Sequence, residues 1–598
     1  MEATTKVTGA EQVFWDLSDL YPSTEHESFK NDLGSIVARA EAFRAAWSGT
    51  FATATDDQMV AFVEEYSAII EKADRLGSFT QLRWTTNTDD PEYGRTLQTV
   101  RETLSGAWQW MVFVSTEMNA LEEARLDHFI NAPSLAPWKH WFEVVKKTRK
   151  HVLTEEVEKV LSEKSLTSRA AWVRLHDELM AAETYALDGQ EHTEAQILKL
   201  LHDPIRDKRK AAAEVFSNGL KRGAKTHAFI YNTVIADVAS NTRMRSYASW
   251  VSSRNEDNEV SDASVQGLVD AVVAKYSIVE RFYNLKRRLL GLDEMFDYDR
   301  YAPVGGDSGW WTWDQCRELV VKAYTDFHPE AGEIAGMFFD KPWIHAPVMK
   351  GKNGGAYSAG TTPLAHPYVF LNYMGTNRDV QVVAHELGHG IHQYLSRRNG
   401  QLLADTPLTI AETASVFGEM LTFQTLVDRM TSDKERLALI MGKLDDIIAT
   451  VFRQIALNRF ENVMHVTRAA EGELSVDRLC ELWMSTQQSQ FGSSVTFTEG
   501  YRYWWSYISH FMHVPGYVYA YAYGELLVLA LYGIYKKEGA AFPEKYMDLL
   551  RAGGSKSPEE LLAPFGCDIN DPSFWSVGLQ AIEELLQEAE ALAGPATT

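Results

Sequence analysis

Residues 376–400 read TNRDVQVVAHELGHGIHQYLSRRNG. Apolar residues recur there every three or four positions, which predicts an amphipathic helix. Thr376 with Asp379 resembles a capping box, Arg397 and Arg398 fall in the last turn, and Gly400 can end the helix. Val380, Val383, Ala384, Leu387, Ile391, Tyr394 and Leu395 form one stripe, with His385, His389 and His392 on roughly the opposite side. His385 and His389 are four apart, so their rings point the same way and can share one ion. A lone histidine on a helix is usually solvated or hydrogen-bonded in the core. The full pattern HELGH, with Glu386 beside the first histidine, points instead to a zinc site. Gly388 and Gly390 strengthen that reading: each glycine inside a helix costs roughly 1 kcal/mol relative to alanine, so a close approach is expected there.

A hydrolytic zinc site uses three protein ligands and keeps a fourth position open for water. An extended pattern with a third histidine would need it at position 395, which is Leu395. His392 follows His389 too closely to join the same tetrahedron, and is expected to hydrogen-bond a ligand or to line the substrate cleft. The next segment, LLADTPLTIAETASVFGEM at 402–420, supplies a better candidate. Thr406 and Pro407 read as an N-cap and a first helical position, which puts Glu412 in the second turn. An antiparallel helix pair would bring Glu412 against the histidines as the third ligand. Glu419, seven residues on, shares its face and is assigned to orienting a ligand histidine; an interhelical salt bridge is the alternative. Zinc lowers the pKa of its bound water towards neutrality. Glu386 is placed to take that proton as general base and to return it to a departing amine.

The rest of the chain fits a soluble globular protein. Its 598 residues exceed one hydrophobic core, so two or more domains are expected. Apolar residues make up 45% and charged residues 23%, which is ordinary. The formal charge of −24 argues against nucleic acid and against anionic membranes, both of which would repel it. Cys316, Cys480 and Cys567 are too scattered for a disulfide framework or a cysteine zinc site, which suits a reducing cytoplasm. MEATTKVTGAEQ lacks the apolar core of a signal peptide, and LLVLALYGIY at 526–535 is shorter than a membrane span. Stretches such as DKRKAAAEVFSNGLKRGA and SFWSVGLQAIEELLQEAEALAG carry helical periodicity. Between about Trp343 and Tyr373, KPWIHAPVMK, GKNGGAYSAG and HPYVFLNY read as short strands joined by turns. A weak proline signal near LHDPIRDK suggests an N-terminal helical domain over 1–200 and a catalytic domain over 201–598.

Several of these stretches resemble one family. HELGHGIH with AETASVFGE downstream is similar to the HExGHxxH-plus-glutamate arrangement of the oligoendopeptidase F and thimet oligopeptidase family of zinc metallopeptidases. FWDLSDLYPS near the start, the run HPYVFLNYMGTNRDVQVVAHELGHGIH, and HFMHVPGYVYAYAYGELL resemble its other landmarks. The resemblance implies a mainly α-helical, two-lobed ellipsoid with a deep substrate channel, one small β-sheet next to the active-site helix, and one zinc ion per chain. It also implies short unstructured peptides as substrates.

Oxyanion donors are expected in YRYWWSYISHFMHVPGYVYAYAYG at 501–524. The family places one histidine several residues before the first of two tyrosines. Both His510 and His513 remain candidates, and the tyrosines rank Tyr517, Tyr521, then Tyr523 for the cleft. Tyr517 and Tyr521 are four apart and can face one way on a helix started by Pro515. The strand HPYVFLNY, with His366 and Tyr368, is expected to pair with extended substrate. Tyr357, beside Gly354 and Gly355, is expected at the cleft rim. A carboxypeptidase or aminopeptidase on the same helix is the rival reading. A helical binding protein with structural zinc is remote, because such zinc is normally enclosed by four protein ligands. Oligomeric state is not decidable from the sequence.

Overall fold

The computed structural model describes residues 7–165, 167–305 and 309–595. It is mainly α-helical, with a three-stranded sheet immediately before the histidine helix, as the sequence predicts, and an antiparallel pair of strands, Tyr185–Leu187 with Gln190–His192, that the sequence reading missed. Its contacts divide the chain into two compact units, neither of them continuous. One comprises 1–159, 309–428 and 534–567; the other comprises 160–308, 429–533 and 568–598. The expected boundary at residue 200 falls inside the second unit, between the helices Glu194–Leu200 and Arg206–Met244. No helix among the described residues is long and apolar enough to cross a membrane.

In the first unit, the helices Glu27–Trp47, Asp56–Thr86 and Pro91–Ala120 close around Phe43, Phe62, Met111 and Phe113. Each such fully buried side chain contributes about 1.5–3 kcal/mol. The sheet has strands β1 (Ile344–His345), β2 (Tyr357–Ala359) and β3 (Tyr368–Phe370) in the order β1-β3-β2. β3 is central, parallel to β1 and antiparallel to β2, with Tyr357 opposite Phe370 and Ala359 opposite Tyr368. All three β3 residues are buried, which explains why this strand reads as an unbroken apolar run.

Helix α1 spans Asn377–Ser396. The Thr376 hydroxyl accepts from the Asp379 amide, and the Asp379 carboxylate accepts from the Thr376 amide, which is the expected capping box. A 3₁₀ turn over Arg397–Asn399 follows, and Gly400 at φ 75° ends it. Helix α2 spans Leu408–Arg429. Its start is one residue later than expected: the Ile410 and Ala411 amides both donate to the Pro407 carbonyl, so Pro407 caps the helix rather than opening it.

In the second unit, a continuous rod runs from Asp433 to Glu471, with a π-helical turn over Ile448–Arg453. Its last part, Gln454–Glu471, is helix α3. The core gathers Phe216, Tyr231, Phe460, Trp483, Trp504, Trp505 and Phe511. It fixes the aromatic 3₁₀ stretch Glu499–Tyr507, where the Tyr231 hydroxyl donates to the Trp505 carbonyl at 2.7 Å. A four-residue turn of helix over His510–His513 follows, and then helix α4, Tyr519–Glu538, whose part up to Gly533 belongs to this unit.

Candidate functional site

α1 carries His385 and His389 one turn apart, with ring centroids 5.0 Å apart. α2 brings Glu412 to them: its Oε2 lies 3.5 Å from His385 Nε2 and 3.4 Å from His389 Nε2. One ligand atom from each of the three lies within 4.8 Å of the others. Ligands bonded at 2.0–2.1 Å in a tetrahedron stand roughly 3.4 Å apart, so this donor set fits a zinc-sized ion.

The helices meet this closely because glycine lines their crossing. A Cβ on Gly388 would stand 2.6 Å from the Ser415 Cα and still closer to the Ala414 carbonyl oxygen. A Cβ on Gly418 would collide with the Tyr324 hydroxyl and stand 3.1 Å from the Ala384 carbonyl oxygen. Gly390 accommodates the Phe338 ring. Two buried tyrosines bind carbonyls at the crossing: Tyr324 donates to Ala384 O at 2.7 Å and Tyr546 to Thr413 O at 2.8 Å.

Glu419 Oε2 lies 3.4 Å from His385 Nδ1. A carboxylate there fixes the tautomer, leaving the other ring nitrogen to face Glu412. Ser415 Oγ donates to Glu412 Oε2 at 2.7 Å. Burial alone would depress His385, but Glu419, Glu412 and Glu386 outweigh it and push the imidazole up to about 9. Burial opposes ionisation of Glu412, but His389, His385 and Ser415 hold its carboxyl down at about 2. With its imidazoles neutral the cluster is net negative, and a divalent cation would neutralise it.

Glu386 is buried, and burial raises its carboxyl above the usual range. The nearby Ser358 backbone pulls the other way, more weakly. Ser358 Oγ donates to Gln393 Oε1 at 2.8 Å, and Gln393 Nε2 donates to the Ser358 carbonyl at 3.4 Å. These contacts overturn the expectation that HPYVFLNY pairs with substrate. The Val369 and Leu371 amides bond Trp343 O and His345 O on the β1 side, while Tyr368 and Phe370 lie opposite β2. β3 therefore has partners on both flanks, and at β2 the Ser358 carbonyl accepts from Gln393 of α1.

Of the other expected cleft residues, Tyr368 and His366 lie in the core, whereas Tyr357 is only partly buried. Tyr368 is fully buried and its hydroxyl donates to Asp16 O. His366 is buried, stacks on Trp343 at 4.1 Å and pairs with Asp19 at 3.0 Å. Tyr357 is half-buried, stacks on Phe370 at 4.9 Å and shares a 2.7 Å hydrogen bond with Thr85. His392 is buried, and burial with the nearby His389 pushes its imidazole down to about 3.

The second unit separates the two candidate histidines. His510 Nε2 lies 3.2 Å from the Tyr521 hydroxyl. Tyr517 stands edge-on to Tyr521 at 5.0 Å and parallel to His510 at 6.2 Å. His510, Tyr517 and Tyr521 thus form one half-buried cluster. Burial, then Arg453, then His513 lower the His510 imidazole, which keeps it neutral near pH 7. His513, four residues before Tyr517 and so on its face had the helix been continuous, is exposed and pairs instead with Asp177 at 2.9 Å. Pro515 does not start a helix through Tyr517: Gly516 at φ 75° breaks the chain direction, and α4 begins at Tyr519. Tyr523 is fully buried against Trp575 at 4.5 Å, with its hydroxyl 3.4 Å from Ser264 Oγ, so it is a core residue and not a cleft residue. Arg453, which donates to the Tyr507 hydroxyl at 2.9 Å, is a neighbour that the sequence reading missed. A residue some sixty positions upstream carries no spacing signal.

A histidine pair and a carboxylate from a second helix, with Glu386 beside the first histidine, form a group that could hold a metal ion. The model described as Peptidase family M3 matches residues 317–580, and that described as Oligopeptidase F matches 117–184. Oligopeptidase PepF of Bacillus subtilis is 26% identical over 588 residues, covering 97% of this chain and 87% of that protein. Group B oligopeptidase PepB of Streptococcus agalactiae is 26% identical, covering 80% and 81% respectively. Among solved structures, a chain from Chlamydophila abortus superposes with TM-score 0.85 at 24% identity, over 98% of this chain and 100% of that one. Oligoendopeptidase-F from Enterococcus faecium gives TM-score 0.72 at 20% identity, over 95% and 98%. The chain is similar to peptidase family M3 and to the oligoendopeptidase F group along nearly its whole length, and is a peptidase.

Proposed function

We propose that this peptidase is a zinc-dependent endopeptidase that cuts internal bonds of short, unstructured oligopeptides. The observation that carries the reading is the convergence of His385, His389 and Glu412 donors beside a buried Glu386. The names of its relatives, oligopeptidase and oligoendopeptidase, support the substrate class. When bound by His385, His389 and Glu412, zinc supplies a Lewis acid and an acidified water.

The chain's own groups do the rest. Glu386 accepts the water proton and returns it to the leaving amine. Glu419 keeps His385 in the tautomer that presents Nε2. His510, Tyr517 and Tyr521 donate to the oxyanion as charge develops on the scissile carbonyl. A neutral His510 suits that role, since it carries one N–H donor.

The test is hydrolysis of a peptide blocked at both termini, with products identified by mass spectrometry. An endopeptidase cuts it internally. Activity confined to peptides with a free terminus would favour a carboxypeptidase or aminopeptidase and overturn the proposal.

A further inference from the structure

Glu461 on α3 is a buried carboxyl that the site above does not use; only 1% of it is exposed. Its Oε1 accepts from the Gly516 amide at 2.7 Å, and its Oε2 has no hydrogen-bond partner. Burying a carboxyl for a single hydrogen bond is costly, and leucine would fill the space more cheaply. Its placement therefore calls for a reason outside stability. Burial pushes the carboxyl up to about 8 against the pull of the Gly516 amide and Arg254, and Tyr231 also faces it. At neutral pH it is a protonated acid whose carbonyl oxygen takes the amide hydrogen.

Gly516 is the residue before Tyr517, and it is clamped. A Cβ there would stand 3.1 Å from Val251 Cγ2, 3.4 Å from the Trp250 ring and 3.5 Å from Arg254 Cβ. Trp250 is itself fastened to α3: it stacks on His465 at 4.1 Å and donates from Nε1 to Asn462 at 3.0 Å. The Val514 carbonyl then accepts from the Tyr517 amide at 3.1 Å, closing the turn. α3 thus holds the turn directly through Glu461 and indirectly through Trp250.

We propose that Glu461 is a positioning residue: by holding the Gly516 amide it fixes the turn that presents Tyr517 beside Tyr521 and His510. The proposal rests on the oxyanion role assigned to Tyr517. It is tested by steady-state kinetics on Glu461→Leu, Glu461→Gln, Tyr517→Phe and the Glu461→Leu/Tyr517→Phe double variant, each checked for folding by circular dichroism. Glu461→Leu should lower kcat roughly ten- to a hundredfold with KM little changed, the range expected for misplacing a reacting group by about 1 Å. Glu461→Gln should retain most of the turnover, because the amide oxygen still accepts from Gly516. The double variant should be no slower than Tyr517→Phe alone. Should Glu461→Leu misfold, Gly516→Ala, which strains the same turn with Glu461 intact, should reproduce the loss in kcat. A wild-type kcat in the folded Glu461 variant beside a slow Tyr517→Phe would overturn the inference and leave the Tyr517 assignment standing. So would additive losses in the double variant. Wild-type turnover in Tyr517→Phe would remove the assignment itself.

Discussion

Replacing Gly388 by alanine sets two effects of opposite sign against each other. Helix propensity alone favours alanine by roughly 1 kcal/mol. The structure opposes it: the new Cβ would meet Ser415 Cα at 2.6 Å, where ordinary contact begins at 3.4 Å. The difference, 3.4 − 2.6 = 0.8 Å, must come from backbone, because the obstructing atoms belong to α2 and not to a side chain that can swing away. Overpacking of this kind costs about 1–3 kcal/mol. It also moves Glu412 away from Nε2 atoms that now stand 3.4 and 3.5 Å from it. If the whole cost falls on metal binding, zinc affinity drops roughly 5- to 150-fold. Competition against a chelator of known affinity measures this, alongside the thermal midpoint of the metal-free protein. Gly442, in the helix Asp433–Ile447 with nothing within 4 Å of its would-be Cβ, is the control, and alanine there should stabilise. A Gly388→Ala protein with unchanged zinc affinity and a raised midpoint would refute the reasoning.

Three further outcomes follow from the same geometry. Glu419→Gln should weaken zinc binding roughly 10- to 100-fold through His385, measured by the same chelator competition. His510→Ala should lower turnover while His513→Ala leaves it near wild type, because only His510 stands with Tyr517 and Tyr521. For Glu461 the folded carboxyl titrates above its unfolded value, so its contribution to stability is full below about pH 4.5 and is lost as pH rises through about 8. Glu461→Gln removes that dependence. Its thermal midpoint relative to wild type should therefore rise between pH 6 and pH 9 in calorimetry.

Local chemistry explains which parts of the site could be read from sequence. α1, its capping box and the shared face of His385 and His389 are set within twenty-five residues, and periodicity reports them directly. Glu412 was within reach because helix start signals place it one loop further on. The glycines announced a close approach without naming Ala414, Ser415 or Phe338 as the approached groups. Strand order was not legible, since an apolar run such as Tyr368–Phe370 reads the same in the middle of a sheet as at its edge. The register of the tyrosine segment failed for a related reason. Helical spacing puts His513 with Tyr517, but Gly516 at positive φ ends the helical phase between them. The partners that settle the outcome, Asp177 for His513 and Trp575 for Tyr523, lie far away in sequence.

The most direct test is a crystal of the zinc-loaded protein with anomalous data collected at the zinc edge. One peak should appear per chain, bonded to His385, His389 and Glu412, with Glu386 close by but outside bonding distance. A peak elsewhere, or one ligated by Glu386 in place of Glu412, would contradict the account.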